Sequence, residues 1–406
     1  MPWKETCVID QRKEFIRECI NGNEAIKALC SKYNISEKTG HKWKNKFMEH
    51  GLSGLCDESR APKSSPTQLG EDAVIRIINI RQAHPTWGPK KIAVLYERAY
   101  PGPGVPSVSS IYRVLEKAEL IKKRRVRKTD GSGAALMRRV IPAEKPNDVW
   151  TADYKGWWYS SGQKCLPFTI RDLFSKNIFD VRLVEQASAQ VAKELFKRLF
   201  YEFGMPCVLR SDNGSPFACT NSLLGLTTLS AWLMYHGVVP DRTDPGTPTQ
   251  NGSHERMHGD IRREIQGQIP GGIQANQEAI DYWVKEYNTV RPHEALGMQT
   301  PASVYVSSER KYQGDDFEWE YPFGFETRIA NNRGWIRIKK TRYFLSEALR
   351  GMMVGVEQQE EDEYMIWLGE FPIAILDTRL AVTRPTDILQ RRKDGHTLKT
   401  NDLPMS

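Results

Sequence analysis

The spacing of apolar residues changes near residue 148, and no single-layer fold accommodates both sides of that change. Upstream, apolar side chains return every three or four positions, as in helices that bury one face. Phe15, Ile16 and Cys19 make one such set, Ala25, Ile26 and Leu29 a second, and Trp43 and Phe47 a third. Gly22 separates the first two, Tyr33-Asn34-Ile35 turns the chain, and Ser36 is placed to cap a third helix bearing Lys38, Lys42 and Lys44. This is a helix-turn-helix pattern, whose last helix is expected in a DNA major groove. A Ser/Pro-rich linker at 59–68 leads to a second unit of the same kind. Its apolar sets are Val74, Ile77 and Ile78, then Ile92, Leu95 and Tyr96 after a break at Pro85-Thr86-Trp87-Gly88, then Ile111, Val114 and Leu115. It carries Lys90 and Lys91 and ends in Lys122, Lys123, Arg124, Arg125, Arg127 and Lys128, a run expected to track DNA phosphates.

Downstream the apolar residues alternate, beginning at Trp150, Ala152 and Tyr154, with Ser160-Ser161-Gly162 as a hairpin turn. Strands follow near 165–171 and 178–184, then an amphipathic helix through Val191, Leu195, Phe196 and Leu199, and a short buried strand at 207–210. A helix near 223–235, a strand at 238–241 and a helix containing Glu255 complete the series. Hairpin-ordered strands followed by helix–strand alternation imply a mixed sheet flanked by helices. After Pro301, segments near 334–339, 352–356, 364–368 and 373–376 have the pattern of short strands, expected to close a small β-barrel.

Charge follows the same division. Residues 1–140 hold 27 Lys/Arg against 15 Asp/Glu, or +12, whereas the remainder holds 31 against 35, or −4. The basic part suits a polyanion. Seven cysteines form no CxxC pair, which points to buried reduced thiols in a cytosolic protein. The first residues carry no apolar signal core, and no run approaches the ~20 apolar residues of a membrane span. The expectation is a cytoplasmic, DNA-associated chain with no membrane partner.

Three acidic residues stand out. Asp153 lies mid-strand among hydrophobic neighbours, where a carboxylate is costly unless it is hydrogen-bonded or ligates a metal. Asp212 follows a buried strand in Arg210-Ser211-Asp212-Asn213-Gly214, at a sheet edge where ligand sites of open α/β folds gather. Glu255 opens a helix after the Pro/Gly loop 245–252. Hard oxygen ligands on strand ends and a helix suit Mg²⁺ or Mn²⁺, and two such ions serve in-line displacement at phosphorus.

Four motifs in order carry a resemblance: Trp150-Thr151-Ala152-Asp153; Arg210-Ser211-Asp212-Asn213-Gly214; Gln250-Asn251-Gly252 with Glu255-Arg256; and Arg291-Pro292-His293-Glu294-Ala295-Leu296 with Thr300-Pro301-Ala302. Together they resemble the integrase-core, DDE-class transposases of bacterial insertion sequences, relatives of retroviral integrases. The resemblance implies a multidomain protein with N-terminal all-α helix-turn-helix units, an α/β ribonuclease H-like core with a mixed five-stranded sheet, and a small C-terminal β-barrel. Expected boundaries are helix-turn-helix domains at 1–58 and 69–128, a catalytic core at 145–305, the barrel at 318–388 and a basic disordered tail at 389–406. It further implies Asp153, Asp212 and Glu255 as catalytic residues holding two Mg²⁺ ions, replaceable by Mn²⁺, with Asn251 and Arg256 beside the DNA. The partners implied are double-stranded DNA, as element terminal repeats and target, and further copies of the chain, at least a dimer. The stretch from Asp212 to Glu255 is longer than is usual in that family, with the extra residues placed around 217–229.

Two other readings remain open. His254-Glu255-Arg256-Met257-His258 matches HExxH, which on a helix presents two zinc-binding histidines and a general base, with Glu278 as a possible third ligand. A non-catalytic DNA-binding regulator would carry the same N-terminal units.

Overall fold

The computed structural model describes residues 7–57, 69–102, 104–121, 141–154, 156–212, 214–217, 222–243 and 252–386. The whole 59–68 linker, the whole 122–128 run and the following residues to 140, Asn251 and all but the last residue of the 245–252 loop lie outside them, as does the tail from 389. The chain divides into two compact units, Met1–Gly70 and Glu71–Ser406.

In the first unit, α1 (Val8–Asn21), α2 (Ile26–Lys32) and α3 (Glu37–His50) enclose Phe15, Ile16, Leu29, Cys30, Trp43 and Leu55. The Ser36 hydroxyl accepts from Thr39 N at 3.2 Å and so fixes the start of α3. Gly40 lets α3 approach α2: a Cβ there would collide with Cys30 Sγ and touch Phe15. Lys38 and Lys42 are exposed, and Lys44 is half-buried.

The second unit begins with α4 (Glu71–Ala83), α5 (Pro89–Ala99) and α6 (Val108–Lys117), packed through Ile77, Ile92, Tyr96, Ile111 and Leu115. These helices rest on the sheet-containing core. His84 Nδ1 meets Glu286 at 2.7 Å, Lys90 Nζ meets Glu294 at 2.7 Å, and Arg98 donates to the carbonyls of Val290 and Met298 at 3.3 Å.

The core sheet comprises β1 (Val149–Tyr154), β2 (Trp158–Ser160), β3 (Gln163–Asp172), β4 (Ile178–Val184), β5 (Val208–Ser211) and β6 (Val239–Arg242). Its order is β4-β3-β1-β5-β6, with β3 antiparallel to both neighbours and β1, β5 and β6 parallel; β2 extends the β1 side of β3. This is the mixed five-stranded arrangement expected, with β2 added. α7 (Ala189–Phe203) and α8 (Thr228–Tyr235) cover one face through Phe196, Phe200 and Trp232 against Trp150, Ala152, Phe168 and Ile170. α9 (Gly252–Glu264) and α10 (Gly272–Thr289) cover the other through Met257, Ile261, Ile280 and Trp283. α8 starts later than the apolar pattern suggests, because Thr227 and Ser230 form a reciprocal capping box that sets its first turn.

The C-terminal strands form an open sheet in place of the expected barrel. β7 (Phe325–Ile329), β10 (Met353–Gln358), β11 (Glu363–Leu368), β12 (Phe371–Asp377) and β13 (Val382–Pro385) run in the order β13-β12-β11-β10-β7. β8 (Trp335–Ile338) and β9 (Thr341–Phe344) make a separate hairpin beside both edges, with no ladder to either. One face of this sheet shares a hydrophobic cluster with Ala231, Met234 and Tyr235 of α8, so its core is partly supplied by the preceding domain. Cys30 and Cys165 are buried, but Cys7, Cys56 and Cys207 are exposed, which corrects the expectation of uniformly buried thiols. Among the described residues no helix is long and apolar enough to cross a membrane.

Candidate active site

Strand alternation decides which side chains of β1 face α9. Trp150 and Ala152 pack under α7 and α8, so Thr151 and Asp153 project from the opposite face. Asp153 is 7% exposed and stands opposite Thr169 of β3. Ala152 pairs with Ser211 in the parallel β1–β5 ladder, which puts Asp212, one residue on, level with Asp153 at the carboxyl ends of adjacent strands. Asp212 is half-buried, and its Oδ1 accepts from Gly214 N at 3.0 Å.

α9 brings His254 and His258 onto the same sheet face. Thr169 Oγ1 donates to the Asp153 carbonyl at 3.0 Å and also meets His254 Nε2 at 2.5 Å and His258 Nε2 at 2.9 Å. A hydroxyl has one proton to give, so with that proton on the carbonyl both imidazoles donate from Nε2. His254 Nδ1 then accepts from Thr151 Oγ1 at 2.8 Å. His258 Nδ1 is left facing Asp153 Oδ2 at 3.8 Å, two acceptor atoms converging unless a proton or a metal ion joins them. Ligand atoms of Asp153, His254 and His258 lie within 4.8 Å of one another, and this is the one such group among the described residues. Asp212 and Glu255 are not in it, and neither is Glu278, which is exposed on α10 and accepts from Gln274 at 2.9 Å.

Glu255, between the histidines in sequence, is exposed and lines a cavity of about 650 Å³ with Arg256 and Lys91. Burial, helped by the charge of Arg291, pushes Lys91 down to about 8. Lys90 is engaged with Glu294. Thr151 and Thr169 escaped the sequence reading, although Thr151 lies two residues before Asp153 and hence on the same strand face. Thr169 left no such signal, because its place depends on the β1–β3 register.

Beneath the site Arg210 and Asp241 form a buried pair, Nε to Oδ2 at 2.8 Å, that ties β5 to β6, and Arg210 also donates to the Ile141 carbonyl at 2.6 Å. Two models described as integrase core domain match residues 143–248 and 236–301, spanning every element of this site. A helix-turn-helix domain model matches 11–63 and a homeodomain-like model 39–115. An uncharacterized protein of insertion element IS476 from Xanthomonas euvesicatoria is 26% identical over 72% of this chain and 79% of its own length. The chain carries an integrase core domain and is similar to proteins of insertion elements. An uncharacterized protein of insertion element IS407 from Burkholderia multivorans is also 26% identical, over 68% of this chain and 93% of its own length. The transposase of Tn552 from Staphylococcus aureus is 22% identical over 73% and 67% respectively. Among solved structures, the magnesium-bound catalytic core of HTLV-2 integrase aligns at 15% identity with a TM-score of 0.32, over 41% of this chain and all of that one.

Proposed function

We propose that the chain joins DNA strands by phosphoryl transfer at the ends of its own mobile element, with Asp153, Asp212 and Glu255 as the catalytic carboxylates. The observation that supports this best is the register that sets Asp153 and Asp212 level on one sheet face, under the helix that carries Glu255. Carboxylates at strand ends suit Mg²⁺ or Mn²⁺, and His258 Nδ1 lies 3.8 Å from Asp153 Oδ2 beside them. Two bound ions would supply activation of the attacking oxygen and stabilisation of the leaving one. The chain's own part is to hold the three carboxylates. Thr169 and Thr151 fix His254 and His258, and through them the face that α9 turns to β1 and β3. The helix-turn-helix units, with Lys38, Lys42, Lys44 and the 122–128 run, bind the terminal repeats in this reading, and Asn251 and Arg256 lie along the reacting strand. Two ends are paired by at least a dimer.

Replacing any one carboxylate by its amide is expected to abolish joining while leaving DNA affinity nearly intact, and combining replacements should cost little more, because such ligands act as a unit. Amide variants whose losses multiply would refute a shared site. A second reading, a zinc centre of Asp153, His254 and His258, is favoured by their clustering. It requires one tightly bound zinc per chain and no joining with Mg²⁺, and the first reading requires the reverse.

A further inference from the structure

The cavity at Glu255 has walls from two sources. Gly88 and Lys91 come from the start of α5 in the second helix-turn-helix unit, whereas Glu255, Arg256 and Arg263 come from α9, and Arg291 from the turn after α10. Four of these side chains are cationic, and apart from Glu255 the nearby acids are already engaged. Asp260 pairs with Arg263 and with Arg291 Nη2, the latter at 2.8 Å, and Glu264 pairs with Arg291 Nη1 at 3.4 Å and accepts from Trp283 Nε1 at 2.5 Å. Arg291 has a side chain only 5% exposed, its Nε has no hydrogen-bond partner, and its guanidinium lies 5.6 Å from the Trp87 ring. Lys91, half-buried, forms no hydrogen bond or ion pair among the described residues; its ammonium lies 5.8 Å from the Trp87 ring. Four cations, of which Lys91 and Arg291 are partly desolvated, share this wall with only two carboxylates, Glu255 and Asp260, and that excess favours a bound anion.

We infer that this pocket takes a backbone phosphate of the DNA, gripped jointly by Lys91 of the second helix-turn-helix unit and by Arg256, Arg263 and Arg291 of the core. The inference rests on the strand-joining reading for its ligand. Its consequence is positional. A phosphate seated there lies beside Glu255, so the helices that hold the DNA and the helix that bears a catalytic carboxylate are referenced to one point on the strand.

The test uses the full chain and a short duplex from the DNA flanking its own coding sequence. Lys91→Gln with Arg263→Gln should flatten the dependence of log affinity on log salt by roughly 1, since one lost phosphate contact removes ~0.9, whereas Lys91→Arg should keep the wild-type slope. Single neutral methylphosphonate linkages, moved along the duplex, should reveal one position that weakens the wild type about tenfold and leaves Lys91→Gln unaffected. An unchanged salt slope in a folded double variant overturns the inference, as does additivity of the neutral linkage and Lys91→Gln at every position. So does Lys91→Gln that binds duplex normally while losing stabilisation by inorganic phosphate, which would assign the pocket to free phosphate. Asp153→Asn is the separate control: if it still joins strands, the catalytic reading fails whatever the pocket does.

Discussion

Thr169 shows how one hydroxyl governs a site. It is fully buried and serves the Asp153 carbonyl, His254 and His258 together, so Thr169→Val removes three hydrogen bonds without changing the volume much. Buried donors left unsatisfied cost ~1–3 kcal/mol each at most, and a loss of about that size in denaturant unfolding is expected. A variant within ~0.5 kcal/mol of wild type would mean that the hydroxyl does not hold these rings. Two other histidines set a pH dependence. Burial pushes His236 down to about 4 and His293 down to about 3. Each stays neutral in the folded chain where the unfolded chain would protonate it, so stability is full above about 6.5 and falls as pH drops toward those values. The slope is at most ~1.4 kcal/mol per pH unit for each. Thermal melts between pH 7 and pH 4 check this, and His236→Gln should shallow the fall. The buried Asp153 was legible because a carboxylate inside an apolar strand demands an explanation. The hydroxyls that organise it were not, since a buried Thr is chemically unremarkable until its cross-strand partner is known.

At the scale of elements, the parallel pairing of β5 and β6 depends on a charge pair. Arg210 and Asp241 are directly opposite in the ladder and nearly inaccessible. Asp241→Ala strands a buried guanidinium and is expected to cost ~3–5 kcal/mol, whereas replacing both by well-packed apolar residues should cost much less. Equal losses for the single and double changes, read by urea unfolding, would show that the pair itself is not the source. The elements around this pair were readable from the chain because period and turn residues agree: Ser36 caps α3, Ser161-Gly162 turns the hairpin, and alternation marks β1. The C-terminal strands were harder. β7, β9 and β13 are short and largely exposed, so they lack the alternation that reveals a strand, and closure into a barrel depends on edge pairing that no local pattern encodes.

For the whole chain, charge and chemistry are divided between regions. The six cations of 122–128 sit between the helical units and the core in sequence, and neutralising them is expected to weaken DNA binding broadly and flatten its salt dependence. An unchanged slope would remove that run from the interface. The central claim concerns the core, and the most direct measurement is joining of element-end duplexes to a supercoiled plasmid with Mg²⁺, comparing wild type with Asp153→Asn at matched DNA occupancy. Joining by the wild type that disappears in Asp153→Asn, with binding unchanged, is the predicted result; joining by Asp153→Asn at the wild-type rate would contradict it.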